Sequence, residues 1–378
     1  MIFVDLSTFF LALKTVFSRR WRSPRRILWT IISILSVTTV YGLNVVCRLL
    51  DEVLFPGYRS VTVRPPVIIV ATPRSGTTYL HGLMACDRKN FACFKLYQTL
   101  LPSVTIYRII DRIANLDHRI GGPIASLLRR MDRRLFGGWE RIHPMGLAGP
   151  EEDEGLFLFT FATPAIYMLF PFFREVAALR FADRLPDWKR RAIGAYYRNS
   201  VKRFIYATGG DTRILLLKSV LFNSRMKIVM DAFPGARIVY LVRSPYEAIP
   251  SFVSMFTAFW KVHSPDIPRD SETAREWAEL AMEYYRYFHD NRRHLDASNV
   301  IEVRYDDLIG DPIGTIGGIY SRFKMDMAPE ARDRMAAEAG KTGGFRSAHD
   351  YSLEEFRIDR ERVYAELRDI FEEYGLAK

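Results

Sequence analysis

The sequence Val67-Ile-Ile-Val-Ala-Thr-Pro-Arg-Ser-Gly-Thr-Thr78 sets the architecture of the chain. Its first five residues are all apolar, which is typical of a short strand buried on both faces of a parallel sheet. The next residues break this run, and residues 77–86 have the pattern of a helix. A buried strand, a tight loop and a helix N-terminus in succession predict an α/β fold with an anion site at the loop.

The loop residues suit a phosphate-like group. Gly76 lets the backbone approach an anion closely, and Ser75, Thr77 and Thr78 supply hydroxyl donors. Arg74 adds a permanent positive charge that can bind phosphate or sulfate oxygens. The alternative is an ordinary strand–turn–helix connection, but a helix cap needs only one hydroxyl.

The loop is not a Walker A motif, because no lysine follows Gly76. The sequence Gly340-Lys341-Thr342 has Met335 where the first glycine of that motif would stand. The lysine–hydroxyl pair that organises magnesium in nucleoside triphosphatases is therefore missing. We expect a phosphate site without a bound metal.

The rest of the chain indicates a P-loop-like parallel sheet flanked by helices. Further buried strands are predicted at residues 214–217, 237–242 and 300–303, and helices at residues 274–291, 312–323, 329–339 and 353–375. Residues of about 91–210 are predicted to form a largely helical cap. The expected organisation is an N-terminal membrane-associating helical segment, 1–56, followed by one domain, 57–378.

A second anion site is predicted at Arg243, which follows the strand at residues 237–242. Ligands of open α/β sheets bind at the carboxyl ends of the strands. Ser251 lies eight residues further on, about two turns into the next helix. The two side chains could hold a second phosphate. The alternative is a surface arginine paired with an acid such as Glu247.

Four segments resemble the sulfotransferases that use 3′-phosphoadenosine 5′-phosphosulfate (PAPS), most of all their bacterial branch. The loop Pro73-Arg-Ser-Gly-Thr-Thr78 resembles the 5′-phosphosulfate loop, and Ile238-Val-Tyr-Leu-Val-Arg-Ser-Pro245 with Ser251 resembles the 3′-phosphate motif. Leu216-Leu-Lys-Ser219 and Tyr305-Asp-Asp-Leu308 resemble two further family elements. The resemblance covers residues of about 56–360.

The chain departs from the family pattern in three places. Arg74 stands where the family often has lysine, Val220 where proline is common, and Ser244 where an acid or asparagine is common. These departures concern nucleotide contacts at the margin of the site.

The resemblance implies that PAPS is the co-substrate and that a hydroxyl is the acceptor. Arg74 and Lys218 would be the cations that stabilise the leaving oxygen. The residues implied in nucleotide binding are Arg74, Ser75, Gly76, Thr77, Thr78, Arg243, Ser251 and Arg346. The last lies in a glycine-rich segment, 343–352, that resembles the loop closing over the nucleotide, with a plain linker as the alternative.

The base that takes the acceptor proton is expected in Glu151-Glu-Asp-Glu154. Four adjacent carboxylates beside an apolar run should raise the pKa of at least one. A similar segment in the bacterial branch favours Glu152. His143 is the other candidate, His81 ranks behind both, and a simple helix N-terminus is the structural alternative.

The N-terminal region carries much of the net charge. Seven basic side chains against Asp5 alone give residues 1–50 a charge of +6, out of +11 for the 378 residues. A basic run at residues 19–26 precedes 21 residues without charge, 27–47. The free energy of inserting this segment into a bilayer is close to zero, because its polar residues offset much of the gain from its apolar ones. The arginines are attracted to anionic lipids, so association with the membrane surface is favoured over a span. Because PAPS is made in the cytosol, the cytoplasmic face is expected.

The acceptor is expected to be hydrophobic or lipid-like, because the cap is rich in aromatic residues. Those expected to shape its pocket are Phe91, Phe94, Tyr97, Tyr107, Phe157, Phe159, Phe161, Tyr167, Phe170, Phe172 and Phe173. Carbohydrate and protein acceptors are alternatives. So are a phosphate-transferring P-loop enzyme and a non-catalytic, membrane-associated nucleotide-binding protein.

The sequence disfavours nucleic-acid binding, a disulfide framework and a zinc site. The arginine run has no interleaved stacking aromatic beyond Trp21, which disfavours nucleic acid. Three cysteines without metal-ligand spacing disfavour a disulfide framework or a zinc site, and a reducing compartment is the simpler interpretation.

Overall fold

The computed structural model describes residues 2–136, 149–209, 212–341 and 351–378. Its centre is a sheet of five strands in the order β2-β3-β1-β4-β5. The strands are β1 (Val67–Ala71), β2 (Phe91–Ala92), β3 (Ile214–Ser219), β4 (Arg237–Val242) and β5 (Val300–Arg304). Each adjacent pair of these strands is parallel, as the apolar runs predict.

The register brings the proposed functional segments to one edge of the sheet. Val70 of β1 lies opposite Ser219 of β3, and Ala71 lies opposite Leu241 of β4. The three strands therefore end side by side. The loop after β1, Lys218 at the end of β3 and Arg243 after β4 all lie at this edge.

Helices surround the sheet. They are α1 (Leu6–Val16), α2 (Pro24–Leu54), α3 (Thr77–Met84), α4 (Leu96–Leu100), α5 (Val104–Arg119), α6 (Pro123–Phe136), α7 (Glu154–Leu158), α8 (Asp187–Thr208), α9 (Met226–Ala232), α10 (Pro245–His263), α11 (Glu272–Asn291), α12 (Tyr305–Gly310), α13 (Pro312–Arg322), α14 (Pro329–Lys341) and α15 (Arg360–Glu373). Ile68 and Val70 pack with α8 and α9 on one face, while Val67 and Ile69 pack with α3 and α13 on the other. Burial on both faces explains why β1 is apolar throughout, and the predicted fold class is confirmed.

Two elements differ from the sequence prediction. β2 was not predicted, because two residues paired only with β3 leave no periodic signal. The helix expected over residues 353–375 is interrupted at Arg357, whose φ is +53°. α15 begins only after Asp359, whose carboxylate caps it by accepting from the backbone N–H groups of Glu361 and Arg362.

The aromatic residues of the cap form core. All of the eleven named above except Tyr97 are less than 9% exposed, and all of these buried residues except Phe159 belong to packed clusters. They build the interior of the cap and the side of the sheet. The expectation that they shape an acceptor pocket is therefore wrong for most of them, because packing in the interior leaves them little exposed surface.

Polar contacts near both of its ends fix α2 to the body of the protein. Arg26 of α2 donates twice to the Asp266 carboxylate at 2.7 Å. Near the other end of α2, Asp51 is fully buried and pairs with Arg203 at 2.8 Å. Among the described residues, α2 is the one helix long and apolar enough to cross a membrane, and 17% of its most apolar window is buried. Both ends of α2 thus lie against the same domain.

Candidate active site

The loop between β1 and α3 is tight and left-handed at two residues. Arg74 has φ +76° and Gly76 has φ +86°. The Ser75 hydroxyl donates to the carbonyl of Thr72 at 2.7 Å and closes the turn. A Cβ on Gly76 would lie 2.9 Å from the ring of Tyr305, so only glycine fits. The loop is held in one shape, with the N-terminus of α3 behind it.

Three of the predicted nucleotide-binding side chains meet beside this loop. Nε of Arg74 donates to the hydroxyl of Ser251 at 3.0 Å. Nη1 of Arg243 donates to the carbonyl of Arg74 at 2.8 Å. Burial, and then the charge of the Arg243 guanidinium, lower the pKa of Arg74. Two cations held this closely favour a bound anion, which would relieve their repulsion.

Arg243 also pairs with Glu247, as the alternative interpretation expects. Its Nη2 lies 2.7 Å from Oε2 of Glu247. The Glu247 side chain is 58% exposed while that of Arg243 is 18% exposed. An exposed carboxylate is well solvated and gives way to an anion at low cost. Tyr305 covers the guanidinium from another side, with 4.5 Å between Cζ and the ring centroid.

Lys218 lies at the end of β3, behind the loop. Its Nζ donates to the hydroxyl of Thr78 at 3.2 Å and lies 3.5 Å from Oε1 of Glu151. The side chains of Lys218 and Glu151 are 1% and 5% exposed. This buried pair fixes a positive charge next to the helix N-terminus. The sequence singled out Lys218, but it gave no sign that Glu151 is its partner.

The acidic segment runs alongside β3, and its carboxylates differ in surroundings. The backbone N–H of Asp153 donates to the carbonyl of Lys218 at 3.1 Å. Asp153 accepts from the hydroxyl of Tyr197, and Glu154 forms a buried pair with Arg225. Glu152 is half-buried.

The raised pKa expected in this segment belongs to Asp153. Burial is the main cause, and it raises the pKa of Asp153 to about 7. The charge of Glu154 contributes less. Because Asp153 is fully buried and bound by Tyr197, it is poorly placed to meet an acceptor. Glu152 stays the proposed base.

His81 belongs to the site more closely than its sequence ranking suggests. It is fully buried on α3, and burial followed by the charge of Lys218 lowers its pKa to about 3. The charge of Glu152 raises the pKa of His81, so Lys218 and Glu152 both lie close enough to His81 to affect its protonation. Its Nε2 is buried without a hydrogen-bond partner among the described residues. The sequence contained one indication that His81 lies near the site. It follows Thr78 by three residues, which puts both side chains on one face of α3.

Two predicted site residues, His143 and Arg346, lie outside the described residues. Within the described ranges, no group of three or more His, Cys, Asp or Glu side chains could hold a metal ion. The independence from metal stays a prediction.

Comparisons with known proteins agree on one family. A sequence model of the sulfotransferase family matches residues 65–329. The omega-hydroxy-beta-dihydromenaquinone-9 sulfotransferases Stf3 of Mycobacterium bovis and Mycobacterium tuberculosis are each 25% identical over 282 residues, which is 70% of this chain. The chain spans 64% of the length of these relatives.

Solved structures show the same fold. The sulfotransferase STF9 of Mycobacterium avium superposes with a TM-score of 0.74 at 16% identity, covering 100% of this chain and 98% of its own. The sulfotransferase STF1 of Mycobacterium tuberculosis gives a TM-score of 0.68 at 18% identity, covering 96% and 92%.

Proposed function

This chain belongs to the sulfotransferase family, and we propose that it transfers a sulfuryl group from PAPS to a hydroxyl of a hydrophobic or lipid-like acceptor. The observation that carries the proposal is the meeting of Arg74, Arg243 and Ser251 beside the Gly76 loop. Two separate anion sites at one sheet edge suit a nucleotide with phosphate groups at the 3′ and 5′ positions of its ribose.

The two anion sites would bind different parts of the nucleotide. The loop backbone, with Ser75, Gly76, Thr77 and Thr78, would bind the 5′-phosphosulfate. Arg243 and Ser251 would bind the 3′-phosphate. Arg74 touches Ser251 through its side chain and Arg243 through its carbonyl, so it would link the two sites.

The transfer step needs a base on the acceptor side and a cation on the leaving side. Glu152 would take the proton of the acceptor hydroxyl while the hydroxyl oxygen forms a bond to the sulfur of PAPS. The bond between sulfur and the bridging oxygen breaks, and adenosine 3′,5′-bisphosphate leaves. Lys218, with Arg74, would stabilise the charge that develops on that oxygen. His81, whose pKa is lowered to about 3 mainly by burial, would stay neutral at this site.

The hydrophobic acceptor is supported by two observations. The Stf3 relatives are named for omega-hydroxy-beta-dihydromenaquinone-9, a hydroxylated menaquinone. The exposed face of α2 carries large apolar side chains such as Leu35, Leu49 and Val53. A lipid alcohol resides in the membrane, so an enzyme that modifies it must reach it at the membrane surface.

We place the protein on the cytoplasmic surface of the membrane, held through segment 1–56. Arg26 and Asp51 bind the domain near both ends of α2, so a span would have to break two ion pairs, of which the Asp51–Arg203 pair is fully buried. A helix lying along the surface keeps those pairs. It also leaves the nucleotide site in the cytosol, where PAPS is made.

Nucleotide titration by calorimetry tests the proposal. We expect adenosine 3′,5′-bisphosphate to bind much more tightly than 5′-AMP or magnesium ATP. Arg243→Ala should weaken bisphosphate binding by about 1.5–3 kcal/mol, the range for hydrogen bonds to charged groups. Glu247→Gln is the matched control, since it removes the competing carboxylate and should leave affinity equal or higher. Equal affinity for 5′-AMP and the bisphosphate would refute the second anion site.

A further inference from the structure

The hairpin formed by α5 and α6 is built by two buried aspartates. Asp51 of α2 accepts hydrogen bonds from the backbone N–H groups of Val104 and Thr105 at 3.0 and 2.8 Å, and so caps α5. Asp117 near the end of α5 accepts from the N–H groups of Ile124 and Ala125 at 2.7 and 2.8 Å, and so caps α6. The base of the hairpin is thus fixed to α2, and its turn is fixed internally.

Beyond its base, the hairpin exposes apolar side chains at helical spacing. On α5 and the residue just after it they are at positions i, i+4, i+7 and i+11, and on α6 at i, i+3, i+4 and i+7, so each helix has one apolar stripe. These side chains are between 43% and 70% exposed: Ile109, Ile113, Leu116, Ile120, Ile124, Leu127, Leu128 and Met131. A soluble surface rarely carries so many large apolar side chains side by side.

The sequence of the hairpin segment carries mostly positive charge. Residues 104–136 contain seven arginines against three aspartates, and one of the three, Asp117, is used in capping α6. Arg108, Arg112 and Arg119 are exposed on α5, to one side of its stripe. Apolar stripes flanked by arginine are typical of helices that lie in the interface of an anionic bilayer.

We propose that the α5–α6 hairpin is a second membrane-binding element, which inserts its apolar stripes into an anionic lipid surface. A bilayer fits better than a protein partner for two reasons. The apolar stripes stand on both helices of the hairpin, and the exposed arginines beside the α5 stripe complement an anionic lipid surface. The hairpin also starts on α2, where Leu49, Leu50 and Val53 are exposed in the same turns as the capping Asp51.

The hairpin is joined to the proposed active site. Lys95, just before α4, pairs with Pro150, and the N–H of Glu151 donates to the carbonyl of Phe94 at 2.8 Å. The acidic segment therefore lies beside the short stretch that leads into α5. On the proposed function, a hairpin held in the lipid would keep the acceptor side of the site next to the bilayer.

Vesicle binding by the full-length chain tests the hairpin. The double variant Leu116→Asp with Leu127→Asp places charges in both stripes. The control, Asn115→Asp with Ser126→Asp, adds the same charges at the neighbouring exposed positions. Partitioning is measured by co-sedimentation with vesicles of equimolar phosphatidylcholine and phosphatidylglycerol. Circular dichroism melting checks that both variants remain folded, as we expect for substitutions at exposed positions.

We expect the stripe variant to lose about tenfold in partitioning for each leucine changed, and the control to stay within about threefold of the unmodified chain. Binding should also weaken as salt rises, because the arginines are exposed. Equal losses in the two variants would overturn the proposal, as would no loss in either. So would a dimer, seen by ultracentrifugation without lipid, that only the stripe variant abolishes, since the face would then bind a second copy. None of these readouts depends on sulfuryl transfer.

Discussion

Replacing Lys218 separates its structural role from its proposed catalytic role. Its ammonium lies 3.5 Å from the Glu151 carboxylate, and both are almost fully buried. At an effective dielectric constant of about 20, two unit charges at that distance attract by about 5 kcal/mol. Removing one partner of a buried pair typically costs about 3–5 kcal/mol, because the other charge is left without compensation. Lys218→Met should therefore lower the free energy of unfolding by about 3–5 kcal/mol.

The matched variant carries Glu151→Gln as well. It removes the orphaned charge, so most of the lost stability should return. Turnover should not return, because Arg74 alone is then left to stabilise the leaving oxygen. Loss of such a transition-state contact lowers turnover by about 10²–10³-fold.

Two assays compare the unmodified chain with these two variants: urea unfolding followed by circular dichroism, and sulfate transfer from PAPS. If Lys218→Met unfolds at the same urea concentration as the unmodified chain, the energetic reasoning is wrong. If the double variant regains turnover, Lys218 serves only to hold Glu151, and its catalytic role is wrong.

The remaining predictions concern the acidic segment, the loop and metal. The folded pKa of Asp153, about 7, lies above its ordinary value of 3.8, so the folded state holds this proton longer and stability should fall as pH rises between those values. Asp153→Asn should flatten that part of the pH profile in urea unfolding, and an unchanged slope would contradict the burial argument. Gly76→Ala should weaken binding of adenosine 3′,5′-bisphosphate in calorimetry at least about tenfold, because strain at φ +86° and contact with Tyr305 distort the loop; normal affinity would show that the loop can adapt. Activity should survive EDTA, and a complete loss restored by magnesium would show a metal requirement.

Local patterns predicted the centre of the fold. β1, β4 and the intervening helix α3 were visible because a buried parallel strand is a continuous apolar run, and because the loop after β1 has unusual composition. β2 was invisible, since its two residues form a strand only through pairing with β3. Strand order also depends on pairing, and it became clear only in the structure.

Contacts between distant residues decided what the sequence could not. Lys218 and Glu151 are 67 positions apart, so their pairing is a product of the fold. Four consecutive acids look equivalent in sequence, but Asp153 faces the interior, and its pKa rises for that reason. The left-handed backbone at Arg74 turns its side chain to Ser251, 177 positions away. Such a conformation is uncommon for a residue other than glycine and could not be foreseen.

Transfer of radiolabelled sulfate from PAPS tests the central claim most directly. The full-length chain is incubated with PAPS and, in parallel, with a lipid extract, a carbohydrate mixture and a protein mixture. We predict label in a hydrophobic product from the lipid extract, and a loss of about 10²–10⁴-fold for Glu152→Gln with unchanged nucleotide affinity. Label in carbohydrate or protein alone would contradict the hydrophobic acceptor. No labelled product from any acceptor, in a preparation that binds adenosine 3′,5′-bisphosphate, would contradict sulfuryl transfer itself.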